Sequence, residues 1–124
     1  MDYDTFLQRV QEVAGLAARD DAERIARVVL GTLSERLYRT ERGDLASQLP
    51  GELRSLMEAH TDTDRYDLQE FYRRVALRAD VSLADGEAYA RAVGAVLREA
   101  VTPGQIEEVL GTLPEDYVAL FEAT

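Results

Sequence analysis

The sequence predicts an all-α protein, a single compact helical bundle of about eight helices built from two pseudo-symmetric four-helix repeats. An internal repeat is the first reason. Phe6, Arg9, Val10 and Ala14 recur as Phe71, Arg74, Val75 and Ala79, sixty-five positions later. One residue is dropped between Leu16 and Glu23, and from there the offset is sixty-four. Glu23, Ala26, Arg27, Leu33, Glu35, Leu49, Pro50 and Leu56 thus return as Glu87, Ala90, Arg91, Leu97, Glu99, Leu113, Pro114 and Leu120. Periodicity is the second: apolar residues fall at helical spacing throughout, and no β-branched stretch alternates apolar with polar. Size is the third. A chain of 124 residues is one domain long, whereas a half of about sixty residues would be marginal alone. The two copies are therefore expected to share one core, as a single domain over 1–124.

The first repeat is expected to span 3–59. Tyr3, Phe6, Leu7, Val10, Val13 and Ala14 line one face of its first helix. Asp20, three residues ahead of Glu23, has the spacing of a helix start, with a capping acceptor followed by an acid that complements the helix dipole. The long helix that follows carries Ala22, Ile25, Ala26, Val29, Leu33 and Leu37 as a stripe, widened by Val28 and Leu30. So wide a stripe predicts a central helix touched on several sides. A short helix near Glu41–Gln48 comes next, and Leu49-Pro50 breaks the chain before a fourth.

A polar linker over 60–67, His60-Thr61-Asp62-Thr63-Asp64-Arg65-Tyr66-Asp67, leads to the second repeat at 68–122. Asp67 with Glu70 and Ser82 with Asp85 mark its first two helix starts, and Thr102-Pro103-Gly104-Gln105 marks the third with a cap, a proline in the first turn and a glutamine. The stripes repeat as Leu68, Phe71, Tyr72, Val75, Ala79 and as Tyr89, Ala90, Val93, Val96, Leu97, Ala100, Val101. Leu113-Pro114 ends the short helix near Pro103–Gly111. Gly31 and Gly94 lie inside the two long helices, where glycine costs up to about 1 kcal/mol relative to alanine. Close helix–helix approach is the expected reason.

Charge and composition exclude several functions. A net charge of −10 would repel nucleic acid and anionic membranes. From Glu99 to Thr124 there are six acids and no base, a segment that suits either a basic partner or plain solvation of a helix face. All 14 basic residues are arginine. Without lysine there is no Schiff base and no phosphate-loop lysine; without cysteine there is no disulfide, thiolate nucleophile or zinc–thiolate site. A single histidine, His60, allows no His-based triad or multi-histidine metal site. The acidic N-terminus lacks signal-peptide character and no apolar run is long enough to span a membrane, so a cytoplasmic location is expected.

Candidate sites are few. Asp62, Asp64 and Asp67 with His60 offer hard oxygen ligands, but a calcium loop counted from Asp62 needs glycine where Asp67 stands and glutamate where Arg73 stands. A solvated linker with Asp67 as helix cap is the expected reading, with no metal and no cofactor. Glu23–Arg27 and Glu87–Arg91 have the spacing of surface ion pairs on a helix. If the copies meet about a two-fold axis, Arg27 and Arg91 would instead converge on one anionic ligand, with Tyr89 closing an apolar pocket beside them. The region 41–57 reads as helix, turn, helix, yet its counterpart in the second repeat carries acids and no base, so DNA reading is rejected.

Several segments taken together resemble a known family: Tyr3 through Val10, Ala22 through Leu30 with Leu33 and Glu35-Arg36-Leu37, Gln48-Leu49-Pro50, Phe71 through Val75, Ala92-Val93 with Val96 through Val101, and Leu113 through Tyr117 with Leu120-Phe121. The chain resembles the bacterial domain of unknown function family 2267. That resemblance implies a small bacterial protein with an accessory or regulatory role, and no activity, cofactor or catalytic residue comes with it. The expected function is a non-enzymatic soluble interaction or regulatory module that binds a partner protein or associates with itself as a homodimer. The alternative is a small-molecule sensor or carrier with an apolar pocket between the repeats. An enzyme would have to rely on carboxylates, tyrosines or hydroxyls alone, and a buried acid pair in a cleft would be its mark.

Overall fold

The computed structural model describes residues 1–59 and 62–122. His60 and Thr61, which open the predicted linker, lie outside the described residues. Among the described residues, seven α-helices are followed by a 3-10 helix: α1 Tyr3–Ala14, α2 Arg19–Arg36, α3 Arg39–Ser47, α4 Gly51–Glu58, α5 Leu68–Ala79, α6 Leu83–Ala100, α7 Pro103–Thr112 and the 3-10 helix Glu115–Phe121. No strand occurs among the described residues. The fold is all-α, as the sequence predicts. Lengths recur with the sequence: α1 and α5 each have 12 residues, α2 and α6 each have 18.

Local signals place most helix ends. Asp67, Ser82 and Thr102 accept from the backbone N–H of Glu70, Asp85 and Gln105 at 2.9, 3.1 and 3.2 Å. Asp2 does the same for α1 through Thr5 N–H at 2.8 Å. The start of α2 differs from expectation. The helix begins at Arg19 behind an extended Ala18 without a side-chain cap, and Asp20 sits inside the first turn. There it complements the helix dipole rather than capping. α1 and α5 both end in a left-handed residue, Gly15 at φ 70° and Asp80 at φ 56°. In each, the next residue's N–H returns to a carbonyl in the preceding turn, Leu16 to Gln11 and Val81 to Ala76, both at 3.0 Å, which closes the helix end.

Packing crosses the halves. α1 lies on both α2 and α6, α5 lies on both α6 and α2, and the two long helices touch each other. α4 rests on α2 and the 3-10 helix rests on α6, while α3 meets α7. One continuous core results, running from Phe6 and Leu7 through Ile25, Leu30 and Leu33 to Phe71, Tyr72, Val93 and Tyr117. Phe71 meets Tyr72 and Tyr117 edge-on, at centroid distances of 6.4 and 5.9 Å.

The glycines separate into two kinds. A Cβ on Gly94 would stand 2.0 Å from the carbonyl oxygen of Leu120, so the 3-10 helix is seated directly on the α6 backbone there. The first half has Leu30 at the matching position, fully buried in the core. Gly31 does not fit the expectation. A Cβ on it would meet nothing within 4 Å, because it faces an open groove instead of a helix.

Candidate functional site

Each half lends an arginine to a glutamate of the other. Arg9 on α1 grips Glu99 on α6 with Nε and Nη2, at 2.9 and 3.0 Å. Arg74 on α5 reaches Glu35 on α2 at 2.6 Å, and also holds Asp64 at 2.7 Å and Glu70 at 2.8 Å. Arg78 joins Glu35 at 3.0 Å. Arg9 matches Arg74 and Glu35 matches Glu99 in the repeat, so the same bridge is made twice, in opposite directions. The expected Glu23–Arg27 and Glu87–Arg91 pairs do not form among the described residues. Glu23 accepts instead from the Tyr3 hydroxyl at 2.5 Å, a partner that becomes available only once α1 lies on α2.

Arg27 and Arg91 do not converge. Arg91 lines a groove of about 330 Å³ between α1 and α6, with Arg9, Val13, Ala88, Ala92, Ala95 and Glu99. Arg27 lines one of about 320 Å³ between α2 and α5, with Val28, Gly31, Thr32, Glu35 and Arg78. Five lining positions correspond in the repeat, Val13 with Arg78, Arg91 with Arg27, Ala92 with Val28, Ala95 with Gly31 and Glu99 with Glu35, so the two arginines serve separate grooves. Tyr89 is half-buried against the core and does not line Arg91's groove. Both grooves are open to the surface and edged by ion pairs.

Residues 63–66 of the predicted linker are pinned to α2 and to the residue that follows it. Thr63 Oγ1 donates to Leu37 O at 2.8 Å, Asp64 N–H to Glu35 O at 2.9 Å, and the Tyr66 hydroxyl to Thr32 O at 3.0 Å. The Arg74 guanidinium lies over the Tyr66 ring, 4.0 Å from its centroid. Asp64 is thus engaged by Arg74 and Asp67 by the start of α5, and no group of three or more His, Cys, Asp or Glu suited to a metal occurs among the described residues.

A feature not anticipated from sequence is a difference between matched surfaces. In the first half, α4 packs against both α2 and α3. Arg42, only 3% exposed, donates to Ser34 O, Leu37 O and Asp62 O at 2.7, 2.6 and 3.0 Å. Arg54 donates to Ala46 O and Leu49 O at 3.3 and 3.1 Å. The matching residues of the second half are Ile106 and Val118. Here the 3-10 helix, drawn onto α6 at Gly94, makes only sparse contact with α7. A groove of about 330 Å³ opens between them, lined by Pro103, Ile106, Leu110, Val118 and Phe121, with Arg98, Glu107 and Glu122 at its border. Val118 is 42% exposed in it.

The family described as an uncharacterised conserved protein, DUF2267, matches residues 3–120. The chain belongs to the DUF2267 family. No curated protein matches it. The DUF2267 match runs through all seven α-helices of the described residues and into the 3-10 helix. Within the described residues of this DUF2267 member, no helix is long and apolar enough to cross a membrane.

The ion pairs of this family member carry a pH signature. Burial opposes ionisation of Glu35, but hydrogen bonds from Arg74 and the charge of Arg78 outweigh it and hold the carboxyl below its ordinary value. Hydrogen bonds from Arg9 do the same for Glu99, and those from Arg73 and Arg74 lower Glu70 to about 2. Folded values below unfolded ones mean stability that is complete above the ordinary carboxylate pKa of 4.5 and lost as pH falls through the depressed values. Urea midpoints measured downward from about pH 6 should therefore fall steadily below about pH 4.5. Glu35→Gln should start less stable and show a shallower acid slope; parallel curves would remove Glu35 from the account. Glu108 moves the other way, raised first by its side-chain interaction with the Asp44 carboxyl across the α3–α7 contact. Both acids are exposed, unlike a buried catalytic pair.

Proposed function

We propose that this protein is a non-enzymatic, cytoplasmic interaction module that binds a partner protein through the second half, at the groove between α7 and the 3-10 helix. The observation that carries this reading is the contrast between matched surfaces. The first half closes its version with two arginines, whereas the second half leaves the exposed Val118 and half-buried Leu110 lining an open groove over the buried Ile106 and Phe121. An apolar surface left open at an otherwise sealed position is what a docking site requires. The duplicated halves supply a rigid frame in which one copy is kept intact and the other is opened for binding. The grooves of Arg27 and Arg91 give the carrier alternative less support, since both are open surface features edged by ion pairs.

Val118→Arg tests this, because it installs the residue that the first half carries at Arg54, at a site already exposed. Native mass spectrometry of the protein purified from its own host should show a bound polypeptide for the original chain. The Val118→Arg protein should appear at its own chain mass, close to 13.9 kDa. A bound polypeptide retained equally by both would place docking elsewhere. An added mass of a few hundred daltons, lost on denaturation, would favour the carrier.

A further inference from the structure

We infer that the occupant of this groove is a cationic amphipathic segment of the partner, its arginines or lysines facing Glu107 and Glu122 at the border. The inference rests on the docking function proposed above and adds the chemistry of the ligand. In the first half the matching surface is closed by Arg42, whose guanidinium satisfies Ser34 O and Leu37 O at the end of α2. At the matching place beside the end of α6 stands Ile106, a hydrocarbon with no proton to donate. Ile106 is only 6% exposed and forms part of the groove's floor, so aliphatic side chains of the segment would cover Leu110 and Val118 while its cationic neighbours face the border.

Charge points the same way. Glu107 and Glu122 border the groove, and residues 99–122 contain no base to neutralise them. The border's one arginine, Arg98, is already turned onto the 3-10 helix, donating to Phe121 O at 3.1 Å. A second copy of this chain, at net −10, would meet that border with like charge, as would nucleic acid or an anionic membrane.

The test uses the full chain, 15N-labelled, and two synthetic 15-residue peptides with leucines at helical spacing, one with arginines between them and one with glutamates. In about 150 mM salt, where distant charges are screened, the arginine peptide should shift the amides of Ile106, Leu110, Val118 and Phe121 saturably. It should bind about tenfold or more tightly than the glutamate peptide, a difference of about 1.4 kcal/mol. The double variant Glu107→Gln, Glu122→Gln should shrink that preference, and Val118→Arg should remove the groove shifts with the remaining spectrum intact. Equal binding of both peptides at the groove would overturn the cationic requirement and leave the docking function standing. Shifts confined to other surfaces, or none, would overturn the inference as well. The docking function itself fails by a different result, a native partner that survives Val118→Arg.

Discussion

Replacing Gly94 by alanine should lower the melting temperature by roughly 10 °C or more, the largest effect expected of any single methyl group in this protein. The reason is geometric. The added Cβ would stand 2.0 Å from Leu120 O and 3.0 Å from its carbonyl carbon, and a backbone cannot swing aside as a flexible side chain can. The 3-10 helix would have to lift off α6, loosening Tyr117, Leu120 and Phe121, all buried in the core. Overpacking of this kind costs about 1–3 kcal/mol and more where backbone must move. It greatly exceeds what alanine contributes through helix propensity, up to about 1 kcal/mol. Gly31→Ala is the matched control, since a Cβ there meets nothing within 4 Å and propensity alone operates. It should be neutral or stabilising by up to about 1 kcal/mol. Thermal unfolding of the two variants side by side checks the pair, and equal effects would contradict it.

Arg42→Ala should cost about 3 kcal/mol, well above Arg54→Ala at about 1 kcal/mol or less, although both arginines cap carbonyl groups in the first half. Burial separates them. Arg42 is 3% exposed and binds Ser34 O, Leu37 O and Asp62 O, so its loss strands acceptors that water reaches poorly, each costing about 1–3 kcal/mol. Arg54 is exposed, its contacts are longer at 3.1–3.5 Å, and water replaces it readily. Arg42→Lys should recover only part of the loss, because one ammonium cannot reproduce the fork that reaches several carbonyls. The Asp64 N–H, which donates to Glu35 O at 2.9 Å, should exchange faster in Arg42→Ala, since the same arginine also anchors Asp62. Equal destabilisation by Arg42→Ala and Arg54→Ala in urea unfolding would contradict this account.

Much of the fold was legible because the chain states its pattern twice. Apolar stripes such as Phe6–Val10 and Phe71–Val75 identify the helices, and Asp67, Ser82 and Thr102 fix three helix starts through side-chain chemistry that acts within a few residues. Local reading fails where a residue's partner lies on another helix. Glu23 and Arg27 have perfect helical spacing, yet Tyr3 reaches Glu23 first, and only the packing of α1 on α2 makes that contact. Arg9, Glu35, Arg74 and Glu99 recur together in the repeat, but pairing them correctly requires knowing that α1 lies on α6 and α5 on α2. Gly31 and Gly94 look alike in sequence and differ entirely in what stands beside them.

The groove carried a signal that a search for matches passes over. It lies in the positions where the copies disagree: Arg42 against Ile106, Arg54 against Val118, Leu30 against Gly94. Two capping arginines become aliphatic while a buried leucine becomes the glycine that lets the 3-10 helix settle on α6. Together these three differences open the groove, and each is visible in the repeat alignment once difference rather than identity is read.

Docking at that groove is the central claim, and hydrogen exchange tests it most directly, measured on the chain alone and in the complex purified from its own host. Slowed exchange across residues 103–121, with α1 and the α2–α5 groove unchanged, is the result predicted. Protection centred on the grooves of Arg27 or Arg91, with residues 103–121 exchanging as in the free chain, would contradict it.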